Sequence, residues 1–209
     1  MHLVADLESG QCAALPNEVV RRSLQYPARS MNPDLALSEV RQQNRQWLRD
    51  EFAGPHPIAI ASHEALSFAR TGREVRRLRR ILRGMTVRIV LVLRERESYL
   101  ASWASQLESM GFSSQSTHRS SFMYVQPDSW LADSASLIGA YREVFGHRAV
   151  TVLRYEELVE RDGSATPALW EACGLPDVGA APSLAAWTNV TAERSGPTTP
   201  GRAPSDVSP

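Results

Sequence analysis

Lysine is missing from this sequence. All 23 basic side chains among the 209 residues are arginine. That closes Schiff-base chemistry and any GxxxxGK[ST] phosphate loop, whose lysine reaches the transferred group. Cysteine is almost as scarce: Cys12 and Cys173 lie far apart and fit no metal-ligand spacing. Neither a metal site nor a disulfide framework is expected, and both read as reduced thiols of a cytosolic protein. No run of about 18 apolar residues occurs, and the N-terminus lacks the basic patch and apolar stretch of a signal peptide. Net charge is absent too, because the 23 arginines balance 23 acidic side chains. The whole chain therefore has no reason to attract nucleic acid or an acidic membrane. These absences predict a cytoplasmic chain without nucleic-acid or membrane partners, and leave only local charge informative.

What is present suits one folded domain and a tail. With 43% hydrophobic residues the chain is globular over most of its length. Met1 to Val4 reads as a clipped first strand, Asn17 to Tyr26 as a short helix, and Ala36 to Phe52 as an amphipathic helix through Leu37, Val40, Trp47 and Leu48. Ile58 to Ala61 has the look of a short buried strand. Thr71 to Arg83 is the strongest helix signal, with Val75, Leu78 and Leu82 on one stripe. Seven arginines fall between Arg70 and Arg83 against one glutamate, Glu74. They read first as a solvated basic face, and second as a polyanion-binding helix.

Val87 to Leu93 is the best buried strand, and Ser98 to Met110 follows as a helix. Gly111 to Ser121 is Ser-rich and expected to be a mobile loop. Ser134 to Phe145 is helical, Ala149 to Leu153 a strand, and Pro167 to Cys173 a helix stopped by Gly174. Strands alternating with helices predict an α/β domain with a parallel sheet flanked by helices over residues 1–178. From Gly179 onward Pro, Ala, Ser and Thr accumulate, so residues 179–209 are expected to form a largely disordered tail.

In an open parallel sheet, ligands sit beyond the C-terminal ends of the strands. Ser62-His63-Glu64, Arg94 and Arg154-Tyr155-Glu156-Glu157 collect there. Arg94 and Ser102, eight residues later and about two turns into the next helix, can both point at one anion. A guanidinium supplies paired charge-assisted donors for such a phosphate clamp. The plainer alternative pairs Arg94 with Glu95 or Glu97 and leaves Ser102 on the helix surface.

The stretch IVLVLRERESYLASWASQ, Ile89 to Gln106, resembles the 3′-phosphate-binding segment of sulfotransferases that use 3′-phosphoadenosine 5′-phosphosulfate. IAIASHEALS, Ile58 to Ser67, is similar to a strand and S-S-E-x-L-S segment of bacterial members. Val144 to Leu175 resembles the family's F-G...V-x-V-x-x-Y-E-D-L stretch, and Asn189 to Thr191 a late N-x-S element. The resemblance implies a P-loop NTPase-like sulfotransferase fold, incomplete at the N-terminus, and sulfuryl transfer to a hydroxyl of a small molecule or glycan. It implies that Arg94 and Ser102 bind the 3′-phosphate and that Tyr155 stacks near the adenine; the alternative for Tyr155 is a buried ring closing the sheet edge.

The N-terminal loop departs from the family. Members open with H-K-T-G-T-T-x-L, whose backbone N–H groups and lysine hold the 5′-phosphosulfate. Here LESGQCAAL, Leu7 to Leu15, keeps Ser9 and Gly10 as the counterparts but places Glu8 where the lysine belongs. Either the loop has degenerated, or the chain begins after the true loop. A missing donor of this kind costs about a hundredfold to a thousandfold in rate. His63 and Glu64 are the candidate general bases, His63 being better matched to neutral pH; His118 is a distant second, and Glu64 capping the next helix is the plainer alternative. The expectation is a sulfotransferase whose activity the loop leaves open, the alternative being a non-catalytic binding protein for a nucleotide or polyanion.

Overall fold

Alternating aliphatic and β-branched side chains from Ile89 to Leu93 make an extended backbone the favoured one, and in the structure they form a strand. The structure is a computed structural model that describes residues 3–5, 37–53, 58–62 and 64–175. Its elements in chain order are β1 (Leu3–Ala5), α1 (Leu37–Ala53), β2 (Ala59–Ala61), α2 (Gly72–Ile81) and β3 (Ile89–Leu93), followed by α3 (Arg96–Ser109), α4 (Ser134–Phe145), β4 (Val150–Arg154), α5 (Tyr155–Asp162) and α6 (Thr166–Ala172). Single 3-10 turns cover Glu64–Phe68, Trp130–Ala132 and His147–Ala149. The strands form two parallel pairs. β1 lies beside β2 with Leu3 opposite Ala59, and β3 beside β4 with Ile89 opposite Val150 and Leu93 opposite Arg154. The fold is therefore mixed α/β, with a small parallel sheet flanked by helices. The expected helix at Asn17 to Tyr26 and the expected tail lie outside the described residues.

Helix starts follow local chemistry. Thr71 caps α2 by accepting the Glu74 N–H, and the Glu74 carboxylate accepts the Thr71 N–H at 3.0 Å and the Arg70 N–H at 3.1 Å. This reciprocal capping box satisfies donors that a helix start leaves open. The single acid of the arginine-rich segment is thus buried and spent on the cap. Asp133 likewise caps α4, accepting the Ser136 N–H at 3.0 Å. Hydrogen bonds from Ser136 hold the Asp133 carboxyl below its ordinary pKa.

The core lies between α2, α3, α4 and the β3–β4 pair. Val75 and Leu78 of α2, Trp103 and Leu107 of α3, and Leu137, Ala140 and Tyr141 of α4 are buried together with Leu93 and Val150. Spacings of three and four residues put each set on one helix face. Burying a side chain such as Leu107, which is fully enclosed, contributes roughly 2 kcal/mol relative to leaving it in water.

Three features differ from the sequence reading. Arg70 is not part of the basic face. Its Nε donates to Ser67 O (3.0 Å), its Nη1 to Trp130 O (3.0 Å) and Asp133 O (2.9 Å), and its Nη2 to Leu131 O (2.8 Å). The guanidinium also lies over the Trp130 ring, and burial pushes its pKa down. Secondly, segment 111–121 has no helix or strand, as expected, but both ends are tied. Trp103 Nε1 donates to Phe122 O at 2.8 Å, Trp130 Nε1 donates to Ser121 O at 3.2 Å, and the Phe112 and Phe122 rings meet edge to face. Buried aromatics too few for a periodic pattern pin this loop. Thirdly, α5 was not anticipated. Its eight residues hold one fully apolar buried side chain, Leu158, too little for a hydrophobic period to stand out. Gly163, at φ +68°, ends it in the left-handed conformation that glycine adopts without strain.

Candidate functional site

The parallel register decides which side chains meet. Because Leu93 stands opposite Arg154, the next residue on each strand, Arg94 and Tyr155, leaves the sheet at the same level. Parallel neighbours run about 4.8 Å apart, so two long side chains at that level are within reach of each other. The Arg94 guanidinium carbon is 5.1 Å from the centre of the Tyr155 ring, and its Nε is 3.8 Å from Glu156 Oε1. Next to them Arg154 Nε approaches Glu157 Oε1 at 3.8 Å.

Tyr155 is 37% exposed. It is therefore a partly exposed ring with Arg94 over one face, and not the buried ring that would merely close a sheet edge. Arg94 and Glu156 are about equally open, at 40% and 41% of their side-chain surfaces, so the pair is wet and contributes little to stability. Arg94 does find an acidic partner, as its plainer reading expected, but the partner is Glu156 from the other strand end rather than Glu95 or Glu97. Sequence reasoning picked out the Arg-Tyr-Glu-Glu quartet and gave Glu156 no role. Only the strand register, which a sequence does not print, brings that carboxylate to Arg94.

Ser102 is exposed on α3. Leu100, Trp103 and Leu107 take the buried face of that helix, and Ser102 falls in a row with Ser98 and Glu95, the cap residue directly after Arg94. Ser9, Gly10 and His63 lie outside the described residues. Glu64 opens the 3-10 turn that follows β2, and Ser62 is exposed just before it. His118 is exposed in the loop after α3, beside Arg119, which pairs with Asp128 at 3.1 Å. The Tyr124 hydroxyl donates to Asp128 at 2.6 Å, which lowers the carboxyl pKa and raises that of the phenol. Cys173 is part-buried, and burial pushes its thiol pKa up, which keeps it in the unreactive protonated form.

Among the described residues no three His, Cys, Asp or Glu side chains gather as a metal site, and no helix is long and apolar enough to cross a membrane. Chemically, the end of the β3–β4 pair offers an arginine fork, a partly exposed aromatic ring beside it and a carboxylate that competes for the fork. What these residues define is a mixed α/β protein with an exposed Arg94, Tyr155 and Glu156 cluster at the end of its β3–β4 strand pair. Compared with protein-family models, curated proteins and solved structures, the chain matches none.

Proposed function

We propose that this chain is a sulfotransferase-like protein that binds a 3′-phosphorylated adenine nucleotide at the ends of β3 and β4. The observation that carries the reading is the pairing of Arg94 with the partly exposed Tyr155 ring. A phosphate taken by the guanidinium would stand beside a ring on which a purine can stack. The strand-to-helix step from Leu93 through Arg94 into α3, with exposed Ser102 on the same row as Glu95, supports a clamp on that phosphate. Parallel strand pairs flanked by helices support a P-loop NTPase-like sulfotransferase fold. A cytoplasmic location belongs to the same proposal, resting on two distant cysteines.

In the proposed reaction the oxygen of an acceptor hydroxyl, on a small molecule or glycan, attacks sulfur in line. The sulfur–oxygen bond to the 5′-phosphate breaks, the leaving phosphate keeps its electron pair, and a base takes the hydroxyl proton. His63 and Glu64, following β2, are the proposed bases. Ser9 and Gly10 would hold the 5′-phosphosulfate without a lysine, so the proposal predicts nucleotide binding with slow turnover.

Calorimetry with 3′,5′-diphosphoadenosine and ADP tests it. Charge-assisted bonds of about 1.5–3 kcal/mol to the 3′-phosphate predict roughly tenfold or greater preference for the 3′-phosphorylated nucleotide, lost in Arg94→Ala. Equal affinity for the two, or a preference for ADP, would refute the proposal; the second result would point to a P-loop kinase relative.

A further inference from the structure

A second charged feature lies away from Arg94, on the face where α2 meets the end of α4. Arg73, Arg76, Arg79 and Arg80 line an open groove of about 520 Å³ with Glu143 and Val144. All four arginines are exposed. In a chain with no net charge, this groove gathers four cations against one anion.

Arg79 and Arg80 suit the last turn of α2, where Arg79 donates to Leu82 O and lies over the Phe145 ring, so the fold accounts for these two. Val75 and Leu78 face the core and Glu74 closes the cap, and neither the core nor the cap uses Arg73 or Arg76. Arg73 stands in the first turn, where the helix macrodipole disfavours positive charge. Arg73 with Arg76, and Arg76 with Arg79 and Arg80, are like-charge neighbours at three- and four-residue spacing, which destabilises a helix. Solubility alone would be served by mixed signs. An anion in the groove would offset these repulsions by attracting each cation.

The shape and chemistry of the lining select the anion. Arg73, Arg76 and Arg80 follow one face over roughly 10 Å of helix, seven residues at 1.5 Å each, which suits a linear ligand. The lining has no Ser, Thr, Asn or Gln for sugar hydroxyls and no aromatic ring for a base or a pyranose to stack on. It offers guanidinium forks almost exclusively, the donors that match tetrahedral oxyanions. Arg76 is held by Glu143 at 3.2 Å, both side chains being well exposed at 59% and 66%, so an incoming oxyanion can take the place of that carboxylate. We infer that the α2–α4 groove binds a linear inorganic polyphosphate chain. The inference is independent of the nucleotide site at Arg94.

Binding of the full-length chain to a polyphosphate of about 15 units is measured by calorimetry at several salt concentrations. Heparin and a short DNA duplex serve as comparison polyanions. Arg76→Ala with Arg80→Ala should weaken polyphosphate binding at least tenfold and flatten its salt dependence by about one unit of slope per arginine removed. Glu143→Gln, which frees Arg76, should tighten binding about threefold, whereas Glu160→Gln, the same charge change on exposed α5, should not. That gain cannot come from damaged folding. Unchanged binding in the double variant would overturn the inference, as would equal effects of the two glutamate changes. Heparin or DNA binding as tightly through the same arginines would overturn the assignment to polyphosphate.

Discussion

Arg94 and Tyr155, sixty-one positions apart in the chain, meet because Leu93 and Arg154 are partners in one parallel ladder. Neither side chain is fixed by its own neighbours; the ladder places both. The ladder brings the two side chains within reach with no ligand present, while the exposed contact itself contributes little.

If a nucleotide phosphate is to reach Arg94, Glu156 must give way. Its 3.8 Å contact is exposed and holds the guanidinium by well under about 1 kcal/mol. Glu156→Gln should tighten 3′,5′-diphosphoadenosine roughly two- to fivefold, and Tyr155→Ala should weaken it several-fold, with Tyr155→Phe close to the parent. Titration calorimetry reads all three. A Tyr155→Ala chain that binds as well as the parent would remove the ring from the site.

Arg70 is a structural clasp. Its replacement by alanine removes the guanidinium donor from the carbonyls of Ser67, Trp130, Leu131 and Asp133, of which Trp130 O and Asp133 O keep backbone donors from Asp133 and Leu137, and should cost roughly 2–3 kcal/mol. Arg70→Lys should recover only part, since an ammonium cannot reproduce the planar fork. Urea unfolding checks this. A cost below about 1 kcal/mol for Arg70→Ala would mean that water replaces the clasp freely.

Tyr141 makes stability sensitive to alkali. It is buried, its hydroxyl donates to Leu66 O at 3.1 Å, and burial pushes its pKa well above the ordinary 10.0. Below pH 10 the phenol is protonated in folded and unfolded chains alike. Above it the unfolded chain loses the proton first, so stability falls as pH rises, by at most about 1.4 kcal/mol per pH unit from this group. Tyr141→Phe should lose about 1 kcal/mol at neutral pH with the hydrogen bond and show a shallower decline above pH 10. Parallel declines in both chains, in urea midpoints taken from pH 8 to 11, would exclude Tyr141 as the cause.

The loop after α3 should be ordered at its ends. Trp103→Phe keeps a ring in the core but removes the 2.8 Å bond to Phe122 O, and should cost about 1 kcal/mol. Amide exchange should quicken within 112–122 before it does in α3. Uniform exchange across both would mean that the loop is not pinned by this bond.

Periodicity made much of this fold readable. Ser134 to Phe145 was expected as a helix and is one; Thr71 to Arg83 was expected as a helix and contains α2, Gly72–Ile81, whose capping box was not foreseen; Val87 to Leu93 contains β3. Such elements announce themselves because an apolar stripe of the right period has one way to be buried. The failures share another cause. Arg70 reads as one more exposed arginine because its acceptors are backbone carbonyls sixty residues on, which carry no sequence signature. Glu156 has the same history, since its contact to Arg94 exists only through strand register. At the candidate site the residue types at the strand ends were legible, and their pairing was not.

The Arg70 clasp reaches 60 to 63 residues along the chain, the Tyr141 bond 75, the Arg76–Glu143 pair 67 and the β3–β4 ladder 61. None of these links can form until the stretch carrying Trp130 to Arg154 returns to the first half. Their loop-closure entropy is largely shared, because once one link holds, the others close short distances. The expected result is a folding barrier crossed when α4 docks on α2, slow for a chain so rich in helix. Leu137→Ala, at the centre of that docking face, should slow folding far more than it speeds unfolding; stopped-flow kinetics with the reverse pattern would place the docking of α4 after the barrier.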